Sequence, residues 1–340
     1  MPAIAVSKPD VPPSEMHRAR EKVRAVLGAP SGRPGPCSYS DLLDLGLRDG
    51  LYRPSRELDQ VLTSLVARLQ GPPVGSDSYA RVDHLAAQLI AEHDVYAARA
   101  RTVRRISARA ETSLELTYGP RMAREDIGPG GSLVERALRA LRPFPYREHY
   151  RDLSASEAIL APEVRHWLVA GAGPAPLSGL WLHWLTGARV TLVDLDPEAV
   201  AIASALVRRL ETQGLVSQGF IVAQVSDVAE LLLPDDVDGV LVAALVPQQA
   251  KVALARRVAE SERERRVLIR SARGLTAQLA YAPAPRPALE AAGLTFVGEV
   301  VPQTHITSQP SLPHLLHEGT RTLLGVSSPL LLNSTELYRS

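Results

Sequence analysis

Two periodicities divide the chain. Up to about residue 150, apolar positions recur at steps of three and four. Leu58, Val61, Leu62, Leu65, Val66 and Leu69 form one such face, opened by Pro54-Ser55. Between 79 and 118, Val82, Leu85, Leu89, Tyr96, Val103 and Ile106 keep an approximate helical period with arginine on the other face. This predicts one long helix or two stacked ones. The loop at 127–131 (IGPGG) ends it, and a helix carrying Leu133, Ala137, Leu138 and Leu141 follows. A short helix capped by Ser14 is expected to about Leu27, after a proline-rich loose arm over 1–13. Gly/Pro breaks at 28–38 and 71–75 separate the helices. The pattern predicts an all-helical N-terminal domain over 14–152.

From Val164 the pattern changes to short β-rich runs alternating with amphipathic helices. Strands are expected at 165–170, 189–193, 219–223, 238–244, 266–270 and 294–301, with helices near 176–186, 197–213, 248–262 and 285–292. Such alternation predicts a parallel, doubly wound α/β sheet with crossover helices. We expect this Rossmann-like domain over 153–330, with an edge strand at 320–328 and a C-terminal tail at 331–340.

Composition narrows the function. The 340 residues hold 38 Lys+Arg against 37 Asp+Glu, a net charge of +1. That balance argues against a polyanion-coating nucleic-acid binder and a polybasic membrane anchor. Cys37 is the single cysteine, so no intrachain disulfide and no zinc-knuckle spacing exist. The nine histidines are scattered, with no HExxH, and no dedicated metal site is expected. The N-terminus lacks a signal-peptide core, and no run of about 18 apolar residues occurs. The expectation is a cytoplasmic protein acting on small molecules, with homodimerisation left open.

The chemistry concentrates at the strand ends. The first strand runs into Gly171-Ala172-Gly173-Pro174-Ala175-Pro176-Leu177-Ser178, a glycine loop that lets a ligand approach the backbone and aims helix N–H groups at an anion. The third fingerprint glycine is missing, which favours a carboxylate or nucleoside over a pyrophosphate. The second strand ends Val193-Asp194-Leu195-Asp196-Pro197, placing Asp194 to accept both ribose hydroxyls, while Asp196 reads as a helix cap. Asp227 follows the third strand. It either accepts from an adenine amine or opens a helix over 227–233. The small residues around Ala244, after the fourth strand, suggest a floor for a substrate. In this order, these features describe an S-adenosylmethionine-binding Rossmann-like domain of the class I methyltransferase type.

Several motifs in one order resemble the nicotianamine synthases and their bacterial metallophore-forming relatives. The loop at 170–178 resembles G-S-G-P-x-P-L-T/S, and Asp194-Leu-Asp-Pro197 resembles D-I-D-P. Val242-Ala-Ala-Leu-Val246 with Lys251 resembles A-A-L-V…K, and Arg270-Ser-Ala-Arg-Gly-Leu275 resembles R-S-A-H-G-L. Phe144-Pro-Tyr-Arg-Glu-His-Tyr150 resembles F-P-Y-x-x-N-Y, followed by Leu153-Ser154 and Glu157 as in L-S-x-x-E. Arg147, His149, Arg273 and the 127–131 loop depart from the family pattern. With Leu51-Tyr-Arg-Pro-Ser55 and Leu65-Val66, the similarity covers about 50–300.

The resemblance implies transfer of the 3-amino-3-carboxypropyl group of S-adenosylmethionine to an amine, releasing methylthioadenosine. It implies a catalytic Tyr at Tyr150, or Tyr146, and a Glu in the segment Ala110-Glu-Thr-Ser-Leu-Glu115, best matched by Glu115. A packed interface ring is the other role open to Tyr146, and a solvated helix charge the other role open to Glu115. It also implies cofactor contacts at Gly171, Gly173, Pro174, Leu177, Asp194, Asp227 and Ala244. Arg270, at the end of the fifth strand, would pair with an amino-acid carboxylate or with an interior acid. Lys251 reads as a surface group. The product would be a metal-chelating secondary metabolite; metal would bind the product and not the enzyme. A cyclase closing azetidine-2-carboxylate shares these requirements and stays open. A conventional methyltransferase and a non-catalytic cofactor-binding module are the readings from other classes.

Overall fold

The computed structural model describes residues 114–144, 147–273, 281–300 and 331–340, with Arg104, Ala108, Glu111 and Thr112 ahead of them. The arm over 1–13, the helices expected before residue 104 and the strand expected at 320–328 lie outside the described residues.

Among the described residues, three helices precede the sheet. The first, α1, is helical at 111–112 and 114–122. Helix α2 (Leu133–Ala140) starts on a capping box: the Ser132 hydroxyl accepts from the Glu135 N–H, and the Glu135 carboxylate accepts from the Ser132 N–H. Helix α3 (Arg147–Leu160) leads into β1 (His166–Ala170). Then come α4 (Leu177–Thr186), β2 (Arg189–Asp194), α5 (Pro197–Thr212), β3 (Ile221–Val225) and β4 (Gly239–Val242). The chain continues through α6 (Gln248–Ala259), β5 (Arg266–Arg273), α7 (Arg286–Ala291), β6 (Thr295–Val300) and β7 (Leu331–Arg339).

The sheet order is β3-β2-β1-β4-β5-β7-β6. Strands β1 to β5 pair in parallel, as the alternating pattern required. The C-terminal segment corrects two expectations. Residues 331–340 are not a tail: β7 inserts antiparallel between β5 and β6, so the sheet is mixed. Thr335 and Leu337 are fully buried there, which gives the segment an apolar reason to pair.

The expected helix over 227–233 is also absent. Residues 228–230 form only a turn, in which Glu230 N–H bonds the Asp227 carbonyl. The run to Pro234 is too short to close a second turn, and the residue before a proline disfavours helix.

Apolar side chains fill both faces of the sheet. One core joins Leu114, Met122, Leu141 and Phe144 of the leading helical segment to Trp167, Trp181, Leu206 and Leu337. The other packs Leu254 and Val258 of α6 and Leu289 of α7 against Val240, Val267 and Tyr338. Among the described residues this first core is continuous across α3, within which the boundary expected at 152/153 falls. Every residue of α4 from Leu177 to Leu185 is buried, as a helix apolar all round must be. Gly179 permits this: a Cβ there would lie 2.5 Å from Leu192 Cδ2.

Candidate active site

Strand β1 lies between β2 and β4, so the connections from β1 and β4 leave on opposite sides and open a crevice at the strands' carboxyl ends. A cavity of ≈ 650 Å³ occupies it. The glycine loop, the tip of β2, the loop after β4, α1 and α3 all reach this space.

The glycine loop is held by Asp194. Its Oδ2 accepts from the Gly173 N–H at 2.8 Å, and its Oδ1 accepts from the Asp196 N–H at 3.0 Å. Asp196 itself accepts from the Glu198 N–H at 2.9 Å and caps α5, with Pro197 in the first turn, as expected. Gly171 and Gly173 both have positive φ, +74° and +67°. A Cβ on Gly173 would lie 2.2 Å from Glu115 Oε2, and one on Gly171 would lie 2.6 Å from Val246 Cγ2. The loop is therefore squeezed between α1 and the segment after β4, and only glycine fits.

Glu111 and Glu115 stand one helical turn apart on α1, so both carboxylates share a face and line the cavity. Tyr150 Oη donates to Glu111 Oε1 at 3.4 Å, and Tyr281 Oη donates to Glu111 Oε2 at 2.8 Å. Burial raises the Glu111 carboxyl above the ordinary carboxylate range, against the pull of those hydroxyls and of Arg270. Burial also pushes Glu115 well above it, helped by the negative charges of Glu111 and Asp194. Burial and the two glutamates keep Tyr150 a phenol. Such a carboxyl pair holds protons more tightly than either group alone, which suits it to accepting one from an ammonium.

Arg270 resolves its two options towards the interior acid. Its Nε and Nη2 donate to Glu157 Oε1 and Oε2 at 2.8 and 2.9 Å, and Thr335 Oγ1 adds a bond of 3.0 Å to Oε1. Burial opposes the guanidinium charge and Glu157 more than restores it, so the Arg270 pKa rises. The guanidinium also lies 5.5 Å over the Tyr150 ring.

The structure thus brings Tyr150, Glu115, Gly171, Gly173, Pro174, Asp194, Asp227, Ala244 and Arg270 to one cavity. Leu177 does not line it; its side chain is fully buried in the first turn of α4, packed in the core. Tyr146 lies outside the described residues. Asp227 bonds its own turn, Oδ1 accepting from the Ala229 N–H at 2.8 Å. The solvated-charge alternative for Glu115 fails, since it abuts Gly173. Lys251 is corrected outright: it is buried at 1% exposure, not a surface group. Two residues of the carboxyl–phenol cluster escaped the sequence reading. Glu111 sat in the same motif as Glu115 but was passed over; Tyr281 carried no local signal.

A family model for nicotianamine synthase proteins matches residues 48–307. The chain belongs to the nicotianamine synthase family. It is similar to a crystal structure of a glutamate-to-glutamine mutant of MtNAS in complex with S-adenosylmethionine. Identity is 19% and the TM-score 0.55, covering 84% of this chain and 98% of that one. A structure of MtNAS in complex with MTA and tNA is 18% identical, with a TM-score of 0.54 and the same coverage. At these identities the likeness establishes a shared fold. No curated protein matches the sequence.

Among the described residues, no group of three or more His, Cys, Asp or Glu could hold a metal ion. No described helix is long and apolar enough to cross a membrane.

Proposed function

We propose that this nicotianamine synthase family member is an S-adenosylmethionine-dependent 3-amino-3-carboxypropyl transferase. One observation carries the reading. Two carboxyls with raised proton affinity and two phenols form one cluster, and that cluster touches the glycine loop through Glu115 and Gly173. A proton acceptor for an amine therefore stands directly beside the segment that would hold the donor.

The residues fit that donor. It carries a net positive charge, and the described cavity lining is acidic: Glu111, Glu115, Asp194, Asp196 and Asp227, with Arg270 already matched by Glu157. Asp194 would take the ribose hydroxyls, and Asp227 the adenine amine, across the wall formed by Ala244. Gly171, Gly173 and Pro174 would bring the backbone against the nucleoside. Arg270 keeps Nη1 for the amino-acid carboxylate, its other nitrogens being committed to Glu157. When bound, S-adenosylmethionine supplies an activated γ-carbon: the acceptor nitrogen forms the new C–N bond there as the C–S bond breaks and methylthioadenosine leaves with the electron pair.

The protein's part is to orient the acceptor and take its proton. The Glu111–Glu115 pair receives the proton that leaves the acceptor nitrogen, so that its lone pair is free. Tyr150 fixes Glu111 from α3 and Tyr281 fixes it from the segment before α7, so the carboxylate cannot swing away. Burial of both carboxyls strengthens these interactions.

The test is one incubation read by mass spectrometry. Purified protein with S-adenosylmethionine and candidate amino acids should release methylthioadenosine only when an acceptor is present. Release without any acceptor, with a mass matching azetidine-2-carboxylate, would replace transfer by ring closure. Recovery of S-adenosylhomocysteine would make the protein a methyltransferase, and no release at all a binding module.

A further inference from the structure

One buried cation takes no part in that chemistry. Lys251 occupies the face of α6 that also presents Leu254, Ala255 and Val258 to the core. An apolar side chain would suit this face. Burying an ammonium costs free energy unless it is paired, and its pKa is pushed down to about 8 by that burial. Glu336 of β7 supplies the compensating charge, and Glu336 is itself bonded by Tyr338 Oη and by Arg286 Nε at 3.2 Å.

The ammonium is spent on two backbone carbonyls. Nζ donates to the Ala244 carbonyl at 3.1 Å and to the Arg270 carbonyl at 3.4 Å. These two residues mark a fork. The β4–β5 ladder ends at Val242 opposite Ile269. Beyond it β4 turns away into 243–247, all five of which line the cavity, while β5 runs on beside β7. Past the last rung, the Lys251 ammonium bonds to both arms.

We propose that Lys251 is a positioning residue of this site, a clamp that fixes the separation between the wall at 243–247 and the strand bearing Arg270. It touches neither carboxyl of the α1 pair and does not line the cavity. It acts through the backbone of two elements that do. The inference rests on the proposed function for the ligand that this separation serves, but the clamp itself can be tested without turnover.

Lys251→Met keeps the length and removes the donor. Amide hydrogen exchange over 243–247 should quicken by about tenfold or more, while the melting temperature stays level or rises. With S-adenosylmethionine, KM should rise about tenfold with kcat changed less than about threefold, because a displaced wall weakens binding throughout the reaction. A merely structural lysine would lower the melting temperature and the active fraction, leaving KM alone. Unchanged exchange over 243–247 would overturn the clamp, even if wild-type protein proved inert towards S-adenosylmethionine; that inertness would sink only the proposed function. Should the methionine variant fail to fold, Lys251→Gln, which retains one donor group, must show intermediate exchange; wild-type rates there would equally overturn the proposal.

Discussion

The Glu157–Arg270 pair offers the sharpest test of how the site is held. Glu157 is fully buried on α3, Arg270 is nearly so on β5, and Thr335 completes the group from β7. Glu157→Gln leaves the side chain's shape but removes the charge paired with a nearly buried guanidinium. Removing one partner of a buried pair costs about 3–5 kcal/mol, mostly for the charge left behind. Unfolding in urea at pH 7, followed by circular dichroism, should show it. With a slope of about 3 kcal/mol per molar, the midpoint should fall by about 1–1.7 M. Arg270→Met alone should cost less, because Thr335 still donates to the Glu157 carboxylate. The double variant Glu157→Gln, Arg270→Met buries no net charge and should recover most of the loss. A single-variant shift under about 0.3 M, or a double variant as unstable as the two losses added, would refute the reasoning. The same variants bear on the site, since Arg270 lies over the Tyr150 ring.

Other expectations follow from the geometry. Gly173→Ala forces a side chain into a left-handed backbone and onto Glu115, so it should cost about 1–2 kcal/mol and at least about tenfold in kcat/KM; near-native kinetics would contradict the squeezed loop. Since burial raises both Glu111 and Glu115, kcat/KM should fall as pH drops through a limb lying above the ordinary carboxylate range. In Glu115→Gln the remaining limb should move towards lower pH, because Glu111 loses a like-charged neighbour, and an unmoved limb would count against the pair. Tyr150→Phe should lower turnover far more than S-adenosylmethionine affinity, and unchanged turnover would remove Tyr150 from the mechanism. Lys251 has a folded pKa of about 8 against an ordinary 10.5, so between those values the unfolded chain binds more protons. Wild-type stability should therefore rise with pH across that window, by about 3 kcal/mol relative to Lys251→Met, and parallel pH curves for the two proteins would refute it.

What was legible in the sequence was local. The alternation of strand and helix, the glycine loop, Asp194 at the tip of β2 and the Asp196 cap each depend on residues a few positions apart, and periods of two and 3.6 encode such features directly. The tail that became β7 was illegible because a short segment pairs only where the sheet leaves it a slot. So was the choice between Glu111 and Glu115, which share one motif and one face. Tertiary structure decided the charges. Glu111 meets Tyr150 across 39 residues and Tyr281 across 170. Glu157 meets Arg270 across 113 and Thr335 across 178. Lys251 reaches into the core only because two strands part above it. A charged side chain can be buried wherever its partners converge, and chain separation carries no record of that convergence; the folded packing alone tells a solvated charge from a buried one.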